Sequence, residues 1–328
     1  MSQALAPLNA PDMVSAPRRV RRVEPFRGIT LAAALVTLAI LLAIAVFLVS
    51  KAIPALRADT ASFLSTRAWQ PDATPPVFGV AALAFGTVLS SALALTMAVP
   101  VAVGVAIFIV EYAPKRLANW LGYAVDLLAA VPSVVFGLWG VYVLIPHITG
   151  FQRWLANWFG WIPLFSDPDG HTQTASRSIF VAAVVLAIMV LPIVAAVSRE
   201  VLRQADPALK EAALALGATR WEMVRTAVLP PSRSGITGGV MLGLGRALGE
   251  TIAVALVLGT SFSINWHILT PGGNTIAANI ANYFAEAGPT GRSALIATGL
   301  VLFAMTLFVN TIARAVIYRG APRRRVGR

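Results

Sequence analysis

The chain has 328 residues, 57% of them hydrophobic, and a mean hydropathy of +0.75, which excludes an ordinary soluble domain and points to several membrane crossings. Its formal net charge of +12 sits on residues flanking apolar runs, so it reads as membrane topology in a lipid bilayer, with no nucleic-acid partner. With no cysteine and three scattered histidines (His147, His171, His267), neither a disulfide framework nor a Cys or His metal site is expected.

Residues 1–27 read as a disordered tail, Pro/Ala-rich through Pro17 and then basic, with Arg18, Arg19, Arg21, Arg22 and Arg27. The apolar run Ile29–Val49 is longer than a signal-peptide core and lacks a small-residue cleavage site, so it is expected to be an uncleaved first helix. Spans are expected at 29–50, 78–110, 119–145, 178–198, 235–262 and 293–317, each near the ~20 apolar residues a crossing needs. The fold expected is therefore an all-α polytopic membrane protein with six transmembrane helices over 28–318, followed by a basic tail, 319–328. The second span is long for one crossing; it tilts, projects from the membrane or bends at Pro100.

Lysine and arginine are distributed unevenly. The N-terminal tail, 111–118, 199–234 and the segment from Arg314 onward hold 19 of the 26. The alternate loops hold three (Lys51, Arg57, Arg67), then two (Arg153, Arg177), then Arg292. The positive-inside rule places both termini and 199–234 in the cytoplasm of a multi-pass protein of the cell membrane.

Asp126, in the third expected span before Pro132, is read as snorkelling to the interface or making a helix-packing hydrogen bond. Trp154, Trp158 and Trp161 recur at i, i+4, i+7 and suggest an interfacial helix in the outer headgroup region, or a docking surface for an external partner. Asn279, Asn282 and Glu286 share a face of a short outer helix that lines a pore mouth or faces water.

The fifth span carries Gly243-Leu244-Gly245-Arg246-Ala247-Leu248-Gly249-Glu250-Thr251. Arg246 falls ~17 Å past the cytoplasmic end, near the midplane of a ~30 Å core. Glu250 follows at i+4, one turn further out on the same face. The pair either neutralises itself or faces a polar path. In the second case Arg246 supplies a permanent charge and a planar fork of donors for an oxyanion. Glu250 can accept a bond from a protonated oxygen, which phosphate has at neutral pH and sulfate lacks. The glycines suit close helix packing, and their spacing does not fit a dinucleotide fingerprint. No G-x-x-x-x-G-K-[ST] occurs, so no nucleotide cofactor is expected on this chain.

Between spans four and five lies a polar, helix-forming stretch with Lys210, Arg220 and Arg225. Its spacing, Glu211-Ala212-Ala213, then Gly217, then Leu229-Pro230, resembles the EAA loop of ABC importer permeases. Four stretches narrow the likeness: Phe78–Glu111, Val125–Gly140, Leu191–Pro230, and Gly243–Val254 together with Thr275–Glu286. They are similar to the phosphate-specific ABC importer permeases of the PstC type.

That resemblance implies the type I ABC importer permease fold and a transport subunit that is not itself an enzyme. It implies a homologous PstA-type permease partner, a dimer of cytoplasmic ATP-binding subunits docking at Glu211, Ala212, Ala213 and Gly217, and an extracytoplasmic phosphate-binding protein. It also places positions 246 and 250 in the path of inorganic phosphate, moved by alternating access. Two alternatives stay open: another oxyanion (molybdate, sulfate or phosphonate), and an ion-coupled secondary transporter. A passive scaffold would show no substrate dependence.

Overall fold

The computed structural model describes residues 23–320 apart from 169, 171 and 173–176. Most of both expected tails, 1–22 and 321–328, lies outside the described residues. The chain divides at Leu48 into two units, Met1–Phe47 and Leu48–Arg328. The first, where described, is the leading part of helix α1 (Val23–Ala58), an apolar helix long enough to cross a membrane.

The second unit begins with the end of α1 and a short hairpin, β1 (Trp69–Gln70) paired antiparallel with β2 (Val77–Phe78). Asp72, in the hairpin turn, accepts hydrogen bonds from the backbone N–H groups of Gly288 (3.0 Å) and Gly291 (2.8 Å). It thereby holds the start of α12 (Pro289–Gly320).

Helix α2 (Ala81–Ile107) carries a small residue every fourth position, Gly86, Ser90, Ala94, Ala98, Ala102 and Ala106, all buried. Small side chains let helices approach closely where no hydrophobic force drives them together in lipid. Helix α6 (Ile179–Arg203) packs along α2 and is the pillar of the unit, with 72% of its apolar core inside the protein. Ser178 caps its N-terminus, accepting from Val181 N–H at 3.4 Å, and the buried Gln152 amide donates to the same hydroxyl at 3.3 Å.

Among the described residues, five helical segments are apolar and long enough to cross: 27–58, 81–112, 133–159, 179–203 and 289–315. The third expected span, 119–145, is divided differently. Helix α3 (Lys115–Ala129) ends before Val131-Pro132, because a proline disfavours helical backbone in the residue before it. The crossing helix is instead α4 (Ser133–Trp139), which runs through a wider π-type turn at Gly140–Leu144 into α5 (Ile145–Phe159). Trp154 and Trp158 are thus the end of a spanning helix rather than a separate interfacial one, and with Trp161 they are exposed.

The fifth expected span, 235–262, is α9 (Leu229–Gly249) followed by the short, largely buried α10 (Ile252–Val257). Helix α11 (Ile276–Tyr283) lies against α2, α10 and α12. Asn279 does not share a water-facing stripe with Asn282 and Glu286, which are exposed. It is fully buried and accepts from the Asn274 amide at 3.1 Å.

Candidate translocation site

The rotation of α9 is set by glycine. Gly235, Gly239 and Gly243 face α6, where a Cβ would meet Val201 at 2.6 Å, Val197 at 3.0 Å and Val190 at 2.6 Å. A Cβ at Gly238, Gly245 or Gly249 would meet nothing within 4 Å. Of the three glycines expected to pack helices, only Gly243 does so; Gly245 and Gly249 open onto space.

On a neighbouring stripe, Gly238, Leu242 and Arg246 recur every fourth residue and line a cavity of about 700 Å³ with Met241 and Gly245. Ile193 of α6 forms part of its wall, and Asn310, Ala313 and Arg314 of α12 another part. At ~30 Å³ per water the volume holds a small hydrated anion with room to spare. Neither Arg246 nor Arg314 has a hydrogen-bond or ion-pair partner among the described residues, and no carboxylate lines the space. The cavity thus presents two permanent cations and one amide, a set suited to an oxyanion.

Of the two alternatives, the self-neutralising pair of Arg246 with Glu250 is absent among the described residues. Helix α9 stops at Gly249, and Glu250 has extended backbone (φ −67°, ψ 127°), so the i+4 register does not carry across. Its Oε1 instead accepts from the Ala253 N–H at 3.3 Å, in the first turn of α10. Arg246 therefore lacks the internal counter-ion that would have made it inert. Asp126 does take the packing role: Arg199 Nη2 donates to Oδ1 at 2.9 Å and Oδ2 at 3.0 Å, tying α3 to α6.

On the 199–234 side, α7 (Pro207–Ala215) begins at Asp206, whose Oδ1 accepts from Ala208 N–H at 2.9 Å, with Pro207 in the first turn. It ends in a Schellman turn. Gly217, at φ +85°, bonds to the Leu214 carbonyl, and Ala218 N–H to that of Ala213. Glu211, Ala212 and Gly217 are exposed, as are Leu209, Leu214 and Leu216. Ala213 packs inward on a cluster that includes Ala106, Leu202 and Met223. The Lys210 ammonium donates to Glu111 at 2.6 Å, in a π-type turn (Phe108–Tyr112) that continues α2.

The next helix, α8 (Arg220–Met223), starts with a capping box between Thr219 and Glu222. The Thr219 backbone N–H, and then its hydroxyl, hold the Glu222 carboxyl below its ordinary pKa. A π-type turn at Val224–Val228 leads into Leu229-Pro230 and α9. The exposed helix is thus continuous in sequence with the helix that bears Arg246.

Sequence reasoning found Arg246 but missed Asn310 and Arg314. Arg314 had been counted only as a topology charge; the i, i+4 spacing of Asn310 and Arg314 within the last apolar span was the available signal.

Residues 98–325 match the family described as binding-protein-dependent transport system inner membrane component. The phosphate transport system permease protein PstC 2 of Mycobacterium tuberculosis is 47% identical over 317 residues, covering 94% of this chain and 97% of that one. PstC of Mesorhizobium japonicum is 40% identical over 300 residues, covering 90% and 89%. Among solved structures, a chain of the MetNI methionine ABC transporter, titled as inward facing, superposes with a TM-score of 0.54. The alignment covers 74% of this chain and 97% of that chain at 14% identity, which shows a shared fold. The chain therefore belongs to the binding-protein-dependent transport system inner membrane component family, as a permease subunit with the type I ABC importer fold and relatives of the PstC type.

Proposed function

We propose that this chain forms one half of the membrane path of an ATP-driven importer of inorganic phosphate. The observation that carries the reading is the unpaired Arg246 guanidinium facing the cavity between α9 and α12. Its fork of donors suits a tetrahedral oxyanion, and the names of the PstC relatives specify phosphate. Glu250 lies past the end of the same helix, outside the cavity lining, and accepts from a protonated oxygen of the anion as it passes toward the cavity.

The exposed face of α7, with Glu211, Ala212 and Gly217, is the docking element for a dimer of ATP-binding subunits, and Ala213 seats that helix on the protein from its inner side. A PstA-type permease completes the path, and an extracytoplasmic phosphate-binding protein delivers the anion. Both termini face the cytoplasm in this reading, which the lysine and arginine distribution supports. Movement of α7 passes through α8 into α9 and exposes the cavity to one side of the membrane at a time.

The test is uptake of labelled phosphate by liposomes holding the complete complex with ATP inside. Arg246→Gln should assemble normally and transport about 10- to 100-fold more slowly, the worth of a charged hydrogen bond at ~1.5–3 kcal/mol. Wild-type uptake with an unimpaired Arg246→Gln would contradict the role of this residue.

A further inference from the structure

We infer that Arg314 and Asn310 form a second, inner station for the anion, which receives it from Arg246 before release to the cytoplasm. This rests on the reading of the cavity as a phosphate path. Arg314 lies one residue before the end of the apolar stretch 289–315 of α12, next to the buried Ala313, and lines the same cavity as Arg246. Arg314 has no hydrogen-bond or ion-pair partner among the described residues, so its guanidinium is free to meet an anion in that cavity. Topology does not require it, because Arg319, Arg323, Arg324, Arg325 and Arg328 follow in the same terminal segment.

The order of the two stations follows from helix direction. In the topology read from the loop charges, α9 (Leu229–Gly249) runs outward and carries Arg246 three residues before its end, while α12 runs the opposite way and meets Arg314 near its end. The cavity lining along α9, from Gly238 to Arg246, rises ~12 Å at ~1.5 Å per residue. Arg246 occupies the outer end of that wall, and Arg314, late in α12, the inner. Asn310, one turn outward of Arg314, brings an amide that donates to one phosphate oxygen and accepts from a protonated one. Two stations explain how an anion held by charged hydrogen bonds still leaves. Conduction needs sites strong enough to load and numerous enough to hand the ion on.

An inner station is filled from the cytoplasmic side, so product should compete there. In liposomes of the complete complex with ATP enclosed, millimolar lumenal phosphate should slow uptake of external labelled phosphate several-fold. Arg314→Gln should lower the maximal rate about tenfold, leave the half-saturating external phosphate unchanged, and abolish the slowing by lumenal phosphate. Arg314→Lys should retain that slowing. Asn310→Asp keeps α12 intact while placing a carboxylate in the cavity, and should also abolish the slowing.

A wild-type rate indifferent to lumenal phosphate would overturn the inner station. So would wild-type sensitivity in Arg314→Gln and Asn310→Asp, whatever their rates, since a merely structural defect lowers rate alone. A complex that takes up no phosphate at all would contradict the underlying reading, and this inference with it.

Discussion

At the scale of single residues, Arg246 was legible in the sequence because a guanidinium in mid-span must be answered by a partner or a polar space. Glu250 was misplaced because the i+4 rule assumes an unbroken helix, whereas α9 ends one residue earlier and Glu250 turns to the start of α10. Arg314 was hidden by a correct rule applied too broadly, since counting it as an inside charge left no reason to ask what it faces.

The Glu250 geometry makes a sharp prediction. In Glu250→Gln the amide oxygen still accepts from the Ala253 N–H, so assembly should be unchanged while the charge is gone. Discrimination of phosphate against sulfate, measured by competition during uptake, should fall about tenfold if a protonated oxygen bonds this carboxylate. Unchanged selectivity would assign Glu250 to the helix cap alone.

At the scale of elements, α7 was readable because its ends are written locally: Asp206-Pro207 begins it, and only glycine adopts φ +85° at Gly217 without strain. The break before α4 was also written, in Val131-Pro132, but the apolar run across it masked the stop. The Glu111–Lys210 pair was not legible, since its members lie 99 residues apart and meet only once α7 docks beneath α2.

This pair is the one charged bond recorded between α7 and the membrane helices among the described residues, with Glu111 only 7% exposed. Glu111→Gln and Lys210→Gln should each loosen α7 and reduce phosphate moved per ATP hydrolysed by several-fold. Stranding the partner charge should cost about 3 kcal/mol where it is buried, and less at the partly exposed lysine. The exchange Glu111→Lys with Lys210→Glu should recover part of the coupling. An unaltered transport-to-hydrolysis ratio in both single variants would remove the pair from force transmission.

At the scale of the whole molecule, small residues decide the architecture. The Ala94, Ala98, Ala102 part of the α2 stripe and the Gly235, Gly239, Gly243 stripe on α9 both close on α6. Those two contacts leave the Arg246 face of α9 open toward α12. Composition and span lengths announced the polytopic helical fold, and the loop spacing announced the permease family. Which helix faces meet depends on packing between distant segments, so the cavity itself needed the structure.

The central claim is that ATP hydrolysis on a partner subunit drives phosphate through this chain. The most direct measurement is accumulation of labelled phosphate in liposomes of the complete complex, with ATP inside or with only an imposed ion gradient. The account predicts accumulation with ATP and none with the gradient alone. Accumulation on the gradient without ATP would contradict it.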